Sequence, residues 1–443
     1  MIIQINDISA YIDKEIIVQG WIHNKTGKGK INFIQLRDGT GIVQCVVFQN
    51  DVSNKIFDFA QQLTQESSVL ITGVVRKDER APGIPGGFEI GVTNIQILQS
   101  VNEYPITPKN HGVDFLLDRR HLWIRAPRQW AILRIRACVM RSAREWLDQN
   151  GFLEISTPII TPAAAEGTST LFELDYFGKT SYLSQTGQLY NEANIMSFGK
   201  VYAFGPTFRA EKSKTRKHVT EFWMVEPEIA YCDLVQLLEI EEQFVSHIVQ
   251  SCINQCTNEL EILKRDINKL KRVVPPFPRI TYDDAIQKLI QIKTEKDDTD
   301  EKTLIDIEWG DDFGAPHETA LTKLYDKPIF VTHYPTEVKA FYMPEVENRP
   351  EVCYSADLLA PEGYGEIIGG SERIHDYDTL VNRIKDHNLP IENYNWYLDL
   401  RKFGSIPHAG FGMGIERTVS WICGVDHIRE TSPYPRMINR DTP

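Results

Sequence analysis

Phe208-Arg209-Ala210-Glu211-Lys212-Ser213-Lys214-Thr215-Arg216-Lys217-His218-Val219-Thr220-Glu221-Phe222 reads as a strand, a basic loop and a second strand. A basic loop between β-like runs suits a polyanion. Arg209 offers a planar fork for a phosphate. Phe222 offers a flat face for a purine, and Glu211 an acceptor for an exocyclic amine. The same residues also fit a charged hairpin tip on a solvated face, and this segment by itself leaves both readings open.

Two segments further along bear on that choice. In Gly410-Phe411-Gly412-Met413-Gly414-Ile415-Glu416-Arg417-Thr418 the glycines let backbone approach a ligand closely. Arg417 falls at the expected start of an apolar helix carrying Val419, Trp421 and Ile422, where an arginine and helix N-terminal amides together make an anion site. Before it, Asp357 and Glu366 have the spacing of neighbouring strand ends joined by a turn at 361–363. Two converging carboxylates are what Mg²⁺ needs when triphosphate oxygens and water complete its octahedron. Paired acids also make a glycosidase couple; the arginines at 209 and 417 favour the metal.

Toward the N-terminus, residues 1–102 read as all-β. Runs rich in Val, Ile and Phe recur at 15–22, 31–36, 42–48, 68–74 and 88–98, separated by turn signals such as Asp38-Gly39-Thr40-Gly41. A helical segment, 54–63, sits between the third and fourth. That order is expected of an OB barrel, although strand pattern alone leaves a small β-sandwich open. A stretch with Pro105, Pro108 and the cluster Asp118-Arg119-Arg120-His121 reads as a hinge over 103–129. From Trp130, Ile132, Ile135, Val139, Ala143, Trp146 and Leu147 recur at helical spacing until Gly151, and a strand-like run at 152–155 ends near Pro158. A second long helix is expected from an N-cap at Asp233 toward Cys252. No regular βαβ alternation, dinucleotide fingerprint or P-loop is present.

The 443 residues carry a net charge of −13, which argues against indiscriminate RNA binding but leaves room for one basic face. The seven cysteines are scattered, and only Cys252 and Cys256 lie one helical turn apart. They read as reduced thiols of a cytoplasmic protein. Met1 to Tyr11 lacks a signal-peptide pattern, and no run of about 18 apolar residues predicts a membrane span.

Taken in order, these segments resemble the three signature motifs of class II aminoacyl-tRNA synthetases, in the aspartate/asparagine/lysine subgroup. Motif one resembles the helix through Trp146 and the strand ending at Pro158, motif two 208–222, and motif three 410–417. The resemblance spans essentially the whole chain, since an N-terminal OB domain marks that subgroup. It implies an α+β protein: a five-stranded OB β-barrel for the anticodon over 1–102, the hinge, and over 130–443 a class II catalytic domain with an antiparallel sheet flanked by helices. Motif one would lie at a homodimer interface. By the same resemblance Arg209 holds the α-phosphate of ATP and Arg417 the γ-phosphate. Phe222 stacks on adenine, Glu211 lies near its amino group, and His218 touches the β- or γ-phosphate. Asp357 and Glu366 match the Mg²⁺ carboxylates. Some relatives have a serine three residues after the second acid; here Gly369 stands there, which puts a third protein contact to the metal in question.

Ser184-Gln185-Thr186-Gly187-Gln188-Leu189-Tyr190-Asn191-Glu192 resembles the amino-acid-binding strand and helix of the subgroup. Aspartate enzymes typically carry a lysine two positions after the leucine, paired with the substrate's side-chain carboxylate. Here the position is the uncharged Asn191, followed by Glu192, as in asparagine enzymes. A carboxylate accepts from an amide NH₂ but repels another carboxylate. Arg373 is then expected to donate to the side-chain carbonyl. Gln188, and Glu166 on the loop 163–169, are expected at the α-ammonium group. The stretch 340–443 also resembles bacterial-type asparaginyl-tRNA synthetases, notably in Asp357-Leu358-Leu359-Ala360-Pro361-Glu362-Gly363. In the barrel, Phe33 and Gln44 match positions that stack on and hydrogen-bond to the middle anticodon uridine, and Glu89 is a candidate for the first base. Phe33 also fits the barrel core. Lys25, Lys28 and Lys30 read as a basic loop beside the barrel, touching tRNA phosphates or simply solvated. The resemblance thus implies ATP and Mg²⁺ as cofactors and L-asparagine and tRNA(Asn) as partners. The rival readings are a non-discriminating aspartyl-tRNA synthetase, a tRNA-independent asparagine synthetase, which lacks the barrel, and a non-catalytic RNA-binding paralogue.

Overall fold

The computed structural model describes residues 1–165, 170–213, 215–295 and 305–443. The chain divides into two compact units, Met1–Leu116 and Leu117–Pro443.

In the first unit, strands β1 (Glu15–Lys28), β2 (Ile31–Arg37), β3 (Ile42–Phe48), β4 (Ser68–Lys77) and β5 (Phe88–Gln99) close into a barrel in the order β1-β2-β3-β5-β4, with helix α1 (Asn54–Gln62) between β3 and β4. Closure settles the choice between barrel and open sandwich. The period-2 alternation explains the core: Ile34, Leu36, Val43, Cys45 and Val47 point inward. The basic loop needs correction. β1 runs through Lys28, so Lys25 and Lys28 are strand residues and only Lys30 lies in the turn. Lys25 Nζ donates to the carbonyls of Ala60 (3.3 Å) and Gln61 (2.6 Å), two acceptors at the end of α1 that the helix itself leaves unpaired.

The first long helix of the second unit is α2 (Pro127–Gln149), which starts at a proline in its first turn, where the missing N–H costs nothing. β6 (Leu153–Glu154), α3 (Gln188–Phe198), β7 (Lys200–Phe208), β8 (Glu221–Ala230), α4 (Leu234–Gln255), β9 (Arg279–Thr281), β10 (Ile329–Thr332), β11 (Ser355–Ala360), β12 (Gly365–Glu372), α5 (Asn395–Lys402), β13 (His408–Gly414) and α6 (Ile415–Cys423) follow. The N-cap expected at Asp233 is formed, and the structure extends it to a capping box: its carboxylate accepts from Gln236 N at 2.8 Å, and Gln236 Oε1 accepts from Asp233 N at 3.1 Å. Part of the stretch read as a hinge packs into this unit. Arg120 is buried and donates to the carbonyls of Glu430, Ser432 and Pro433.

Among the described residues the main sheet has eight strands in the order β9-β10-β11-β12-β13-β8-β7-β6. All its pairs are antiparallel except those of the two edge strands, β9 on β10 and β6 on β7. One face is covered by α2, α4 and α6. Ile135, Val139, Leu237, Val245, Ile248 and Trp421 pack there against Val225, Phe411 and Met413. Phe222, Met224, Glu226 and Glu228 of β8 alternate with Val225 and so point to the opposite face.

The glycines of 410–414 lie in a strand and not in a turn. They serve the neighbouring strand as well as any ligand. A Cβ at Gly410 would sit 2.1 Å from Glu228 Oε1, and one at Gly412 2.5 Å from Met224 Cε. The side chains of β8 lie across β13 only because those positions carry none.

Candidate active site

The sheet register assembles a cleft. β7 and β8 pair Phe208 with Glu221, which returns the chain through the 209–220 loop, and Arg209 N bonds to Thr220 O at 3.0 Å. β8 pairs Met224 with Gly414, which sets the first turn of α6 beside the same loop. Six sequence-predicted residues therefore line one cavity of about 580 Å³: Arg209, Glu211, His218, Phe222, Glu366 and Arg417. The guanidinium of Arg209 stands 5.5 Å from the Phe222 ring centroid, and its Nε is buried with no hydrogen-bond partner among the described residues. A buried unsatisfied donor carries a desolvation cost of about 1–3 kcal/mol, which an arriving anion relieves. His218 Nε2 lies 3.3 Å from Glu211, and its Nδ1 meets Ser213 and Thr215. Burial lowers the His218 ring below its usual value, and Arg417 adds to the fall.

Asp357 on β11 and Glu366 on β12 converge over Gly369. A Cβ there would sit 3.2 Å from Glu366 Oε1 and 3.6 Å from Asp357 Oδ1. Burial pushes Asp357 up to about 6, with Lys339 opposing and Glu366 adding to the rise. Arg417 donates to Glu366 Oε2 at 2.8 Å. Lys339, which the sequence reading missed, is 2.7 Å from Asp357 Oδ2 and packs over the Tyr334 ring. Among the described residues no group of three or more His, Cys, Asp or Glu is arranged to hold a metal ion. The protein offers this acid pair, whose hard oxygens suit Mg²⁺.

Beside the cleft on the same sheet face is a buried polar pocket. Arg373 follows β12 and forks onto Glu228, with Nη2 at 2.6 Å from Oε1 and Nε at 3.3 Å from Oε2. Its Nη1 bonds to Ser371. Gln188 starts α3, and its Nε2 donates to Glu192 Oε1 at 3.1 Å. Asn191 is buried with its amide engaged by the fold: Nδ2 donates to Glu226 O at 3.0 Å, and Oδ1 accepts from Asn194 at 3.2 Å. Glu192 was expected to accept from a substrate amide. Its carboxylate is instead surrounded by protein donors, namely Tyr397, Arg401 and His408 in addition to Gln188. Glu166 lies outside the described residues. Glu228, Tyr397, Arg401 and His408 were missed by the sequence reading. The alternation of acids at Glu226 and Glu228 in a strand-like run was the one available signal; the other three are lone polar residues with no diagnostic spacing.

In the barrel, Phe33, Gln44 and Glu89 share one face. Gln35 pairs with Gln44, Gln44 pairs with Glu89, and Phe33, two residues from Gln35, points away from the core residues Ile34 and Leu36. Phe33 is half-buried, so it is not a core residue. Gln44 Nε2 donates to Glu89 Oε2 at 3.3 Å. Among the described residues no helix is long and apolar enough to cross a membrane.

Comparison with known proteins agrees with this geometry. Residues 112–438 match the family described as tRNA synthetases class II (D, K and N), and residues 16–98 match the OB-fold nucleic acid binding domain. The asparagine–tRNA ligase of Herpetosiphon aurantiacus is 54% identical over 442 residues, covering 99% of this chain and 98% of that protein. Its counterpart in Chloroflexus aurantiacus is 56% identical over 438 residues, covering 98% of each. The crystal structure of asparaginyl-tRNA synthetase from Pyrococcus horikoshii complexed with asparaginyl-adenylate is similar with a TM-score of 0.92 at 45% identity, over 98% of this chain and 97% of that one. The Entamoeba histolytica asparaginyl-tRNA synthetase, also with asparaginyl-adenylate, gives 0.88 at 32% identity, over 100% and 99%. The chain belongs to the class II tRNA synthetases of the aspartate, lysine and asparagine group, and within it to the asparagine–tRNA ligases.

Proposed function

We propose that this chain activates L-asparagine with ATP and esterifies it onto the 3′-OH of tRNA(Asn), releasing AMP and pyrophosphate. The observation that carries the reading is the cleft lined by Arg209, Phe222, Glu366 and Arg417, with Asp357 next to Glu366, beside a buried pocket with no lysine at position 191. The asparagine carboxylate attacks the α-phosphorus in line, the bond to pyrophosphate breaks, and asparaginyl-adenylate forms. The nucleophile is already an anion, so no protein base is needed. Arg209 holds the α-phosphate and Arg417 the γ-phosphate, so positioning and charge neutralisation supply the acceleration. Phe222 stacks on adenine, Glu211 accepts from its amino group, and His218 contacts the outer phosphates. The tRNA 3′-OH then attacks the adenylate carbonyl, and AMP leaves.

Asp357 and Glu366 would hold Mg²⁺, which when bound neutralises phosphate charge. Gln188 and Glu166 face the α-ammonium group. Asn191 and Glu192 keep the amino-acid pocket free of the cation an aspartate would need, and Arg373 donates to the side-chain carbonyl. Residues 1–102 act as the anticodon domain, where Phe33 stacks and Gln44 and Glu89 hydrogen-bond to bases. Within the stretch 103–129 the part before Leu117 is the joint, and the remainder packs with the catalytic domain of 130–443. The enzyme works in the cytoplasm as a homodimer. The exposed apolar side chains of Leu153, Ile159 and Ile160, at and beside the edge strand β6, support an interface around motif one.

The test is amino-acid-dependent ATP–pyrophosphate exchange with asparagine and aspartate in parallel, followed by charging of tRNA(Asn). Exchange and charging with asparagine alone are expected. Exchange with both amino acids would make the enzyme a non-discriminating aspartyl-tRNA synthetase. Exchange with neither, in folded protein, would leave an RNA-binding paralogue.

A further inference from the structure

We propose that Glu192 is a positioning residue: clamped by Tyr397, Arg401 and His408, its carboxylate fixes the Gln188 amide so that the Gln188 carbonyl oxygen faces the α-ammonium group of asparagine. This rests on the reading of the pocket as the asparagine site.

Gln188 and Glu192 are one turn apart on α3, a spacing that brings their side chains together. An ionised carboxylate only accepts hydrogen bonds, whereas an amide donates at one end and accepts at the other. Beside a neutral partner an amide has two workable orientations. Beside Glu192 it has one, because the reversed amide would set oxygen against oxygen. The 3.1 Å contact from Gln188 Nε2 to Glu192 Oε1 therefore commits the Gln188 oxygen to the remaining direction.

The carboxylate itself is held at both oxygens. Tyr397 Oη lies 2.8 and 2.7 Å from its two oxygens, which share the one phenolic proton, and Arg401 Nη2 reaches Oε2 at 2.6 Å. His408 Nε2 is 3.0 Å from Oε2, while its Nδ1 is tied to Ile406 O at 2.7 Å. Arg401 Nε is tied in turn to Ile374 O at 2.8 Å. The side chains of Glu192, Arg401 and His408 are all 0% exposed, so no water competes for these bonds. Burial alone would raise the Glu192 carboxyl, but Arg401, then His408 and Arg373, hold it well below its usual range, and it stays an acceptor. The holders come from α5 and the start of β13, elements that the sequence places some two hundred residues from α3. A constellation this saturated has no acceptor left for a substrate amide, which separates positioning from direct recognition.

The full-length enzyme and its Glu192→Gln variant are titrated calorimetrically, with a non-hydrolysable ATP analogue present, against L-asparagine and against succinamic acid, which is asparagine without its amino group. A glutamine at 192 can donate as well as accept, so the Gln188 amide is free to reverse. The preference for asparagine over succinamic acid should fall by about tenfold or more, the worth of one hydrogen bond to a charged group. Succinamic acid should bind as before. In pyrophosphate exchange the KM for asparagine should rise by a similar factor with kcat little changed. Tyr397→Phe removes one holder and should shift the same preference in the same direction by less. Its thermal melt checks folding, and it decides the matter if Glu192→Gln does not fold. Equal weakening of both ligands, or no change in either, overturns the inference while leaving the asparagine reading intact. A wild-type enzyme that binds neither ligand, or activates only aspartate, overturns both.

Discussion

The proposed nucleotide cleft and the proposed amino-acid pocket sit on one face of one sheet and handle charge in opposite ways. In the cleft, His218, Glu211, Arg417 and Glu366 keep about a third of their side-chain surface open, and Arg209 holds a buried donor with no partner among the described residues. In the pocket, Arg373 and Glu228 are 3% and 1% exposed, and Glu192 and Arg401 are wholly buried against each other. The ligands explain the difference. ATP arrives with several negative charges, so cations facing it are left partly open to it, Arg417 held only by a partly exposed pair with Glu366. An asparagine side chain brings none, and a pocket that sorts it from aspartate must not offer a loose cation. Charge that binds a charged ligand is left open; charge that shapes a site for a neutral one is neutralised inside the protein.

The largest expected effect breaks the open half. Arg417→Ala should lower kcat of asparagine-dependent pyrophosphate exchange by about a thousandfold, the scale at which single preorganised charge contacts act. Its melting curve should barely move, because a partly exposed pair is worth about 1 kcal/mol or less to the fold. A drop of less than tenfold would mean that the γ-phosphate is held elsewhere.

The closed half should respond in both measurements. Glu228→Gln leaves Arg373 buried without its anion, and breaking such a pair costs about 3–5 kcal/mol. Denaturant unfolding should show that loss, and kcat/KM for asparagine should fall roughly ten- to a hundredfold, with the KM for ATP unchanged. A variant that lost activity at full stability would place Glu228 with the cleft residues and remove the distinction.

The same contrast governs what the sequence discloses. Cleft residues fall in short contiguous segments: Arg209, Glu211, His218 and Phe222 share one loop and its strands, so one reading of 208–222 finds them all. The barrel shows through alternation, since Ile34 and Leu36 face in where Phe33 and Gln35 face out. The pocket is assembled by topology. His408 meets Glu192 across 216 positions and Arg373 meets Glu228 across 145, and neither partner stands in a pattern that anticipates the other. Gly410 read as a residue that lets backbone approach a ligand, yet the nearest atoms it makes room for belong to Glu228. Lys25 read as a loop cation because only the fold reveals the carbonyls at the end of α1. What a segment does by itself is legible; what it does because of a distant segment is not.

The smallest effect concerns a third arrangement, charge paired away from both sites for the fold alone. Glu362 lies in the turn between β11 and β12, the strands that carry Asp357 and Glu366. It accepts from both terminal nitrogens of Arg265 and from Lys269 Nζ at 2.8 Å. Burial alone would raise its carboxyl, but Arg265 and Lys269 together hold it below the usual 4.5. A carboxyl whose folded value is depressed contributes stability that is present above the unfolded value and lost as pH falls through the folded one. Glu362→Gln should therefore melt lower than wild type at neutral pH, by a difference worth about 1 kcal/mol. That gap should close as the solution is acidified below the ordinary glutamate range. Exchange with ATP and asparagine should be unaffected, since the pair touches neither site. A gap that persisted in acid would show that the glutamate holds the turn by its shape, and paired charge outside the two sites would then count for less than either half of the comparison assumes.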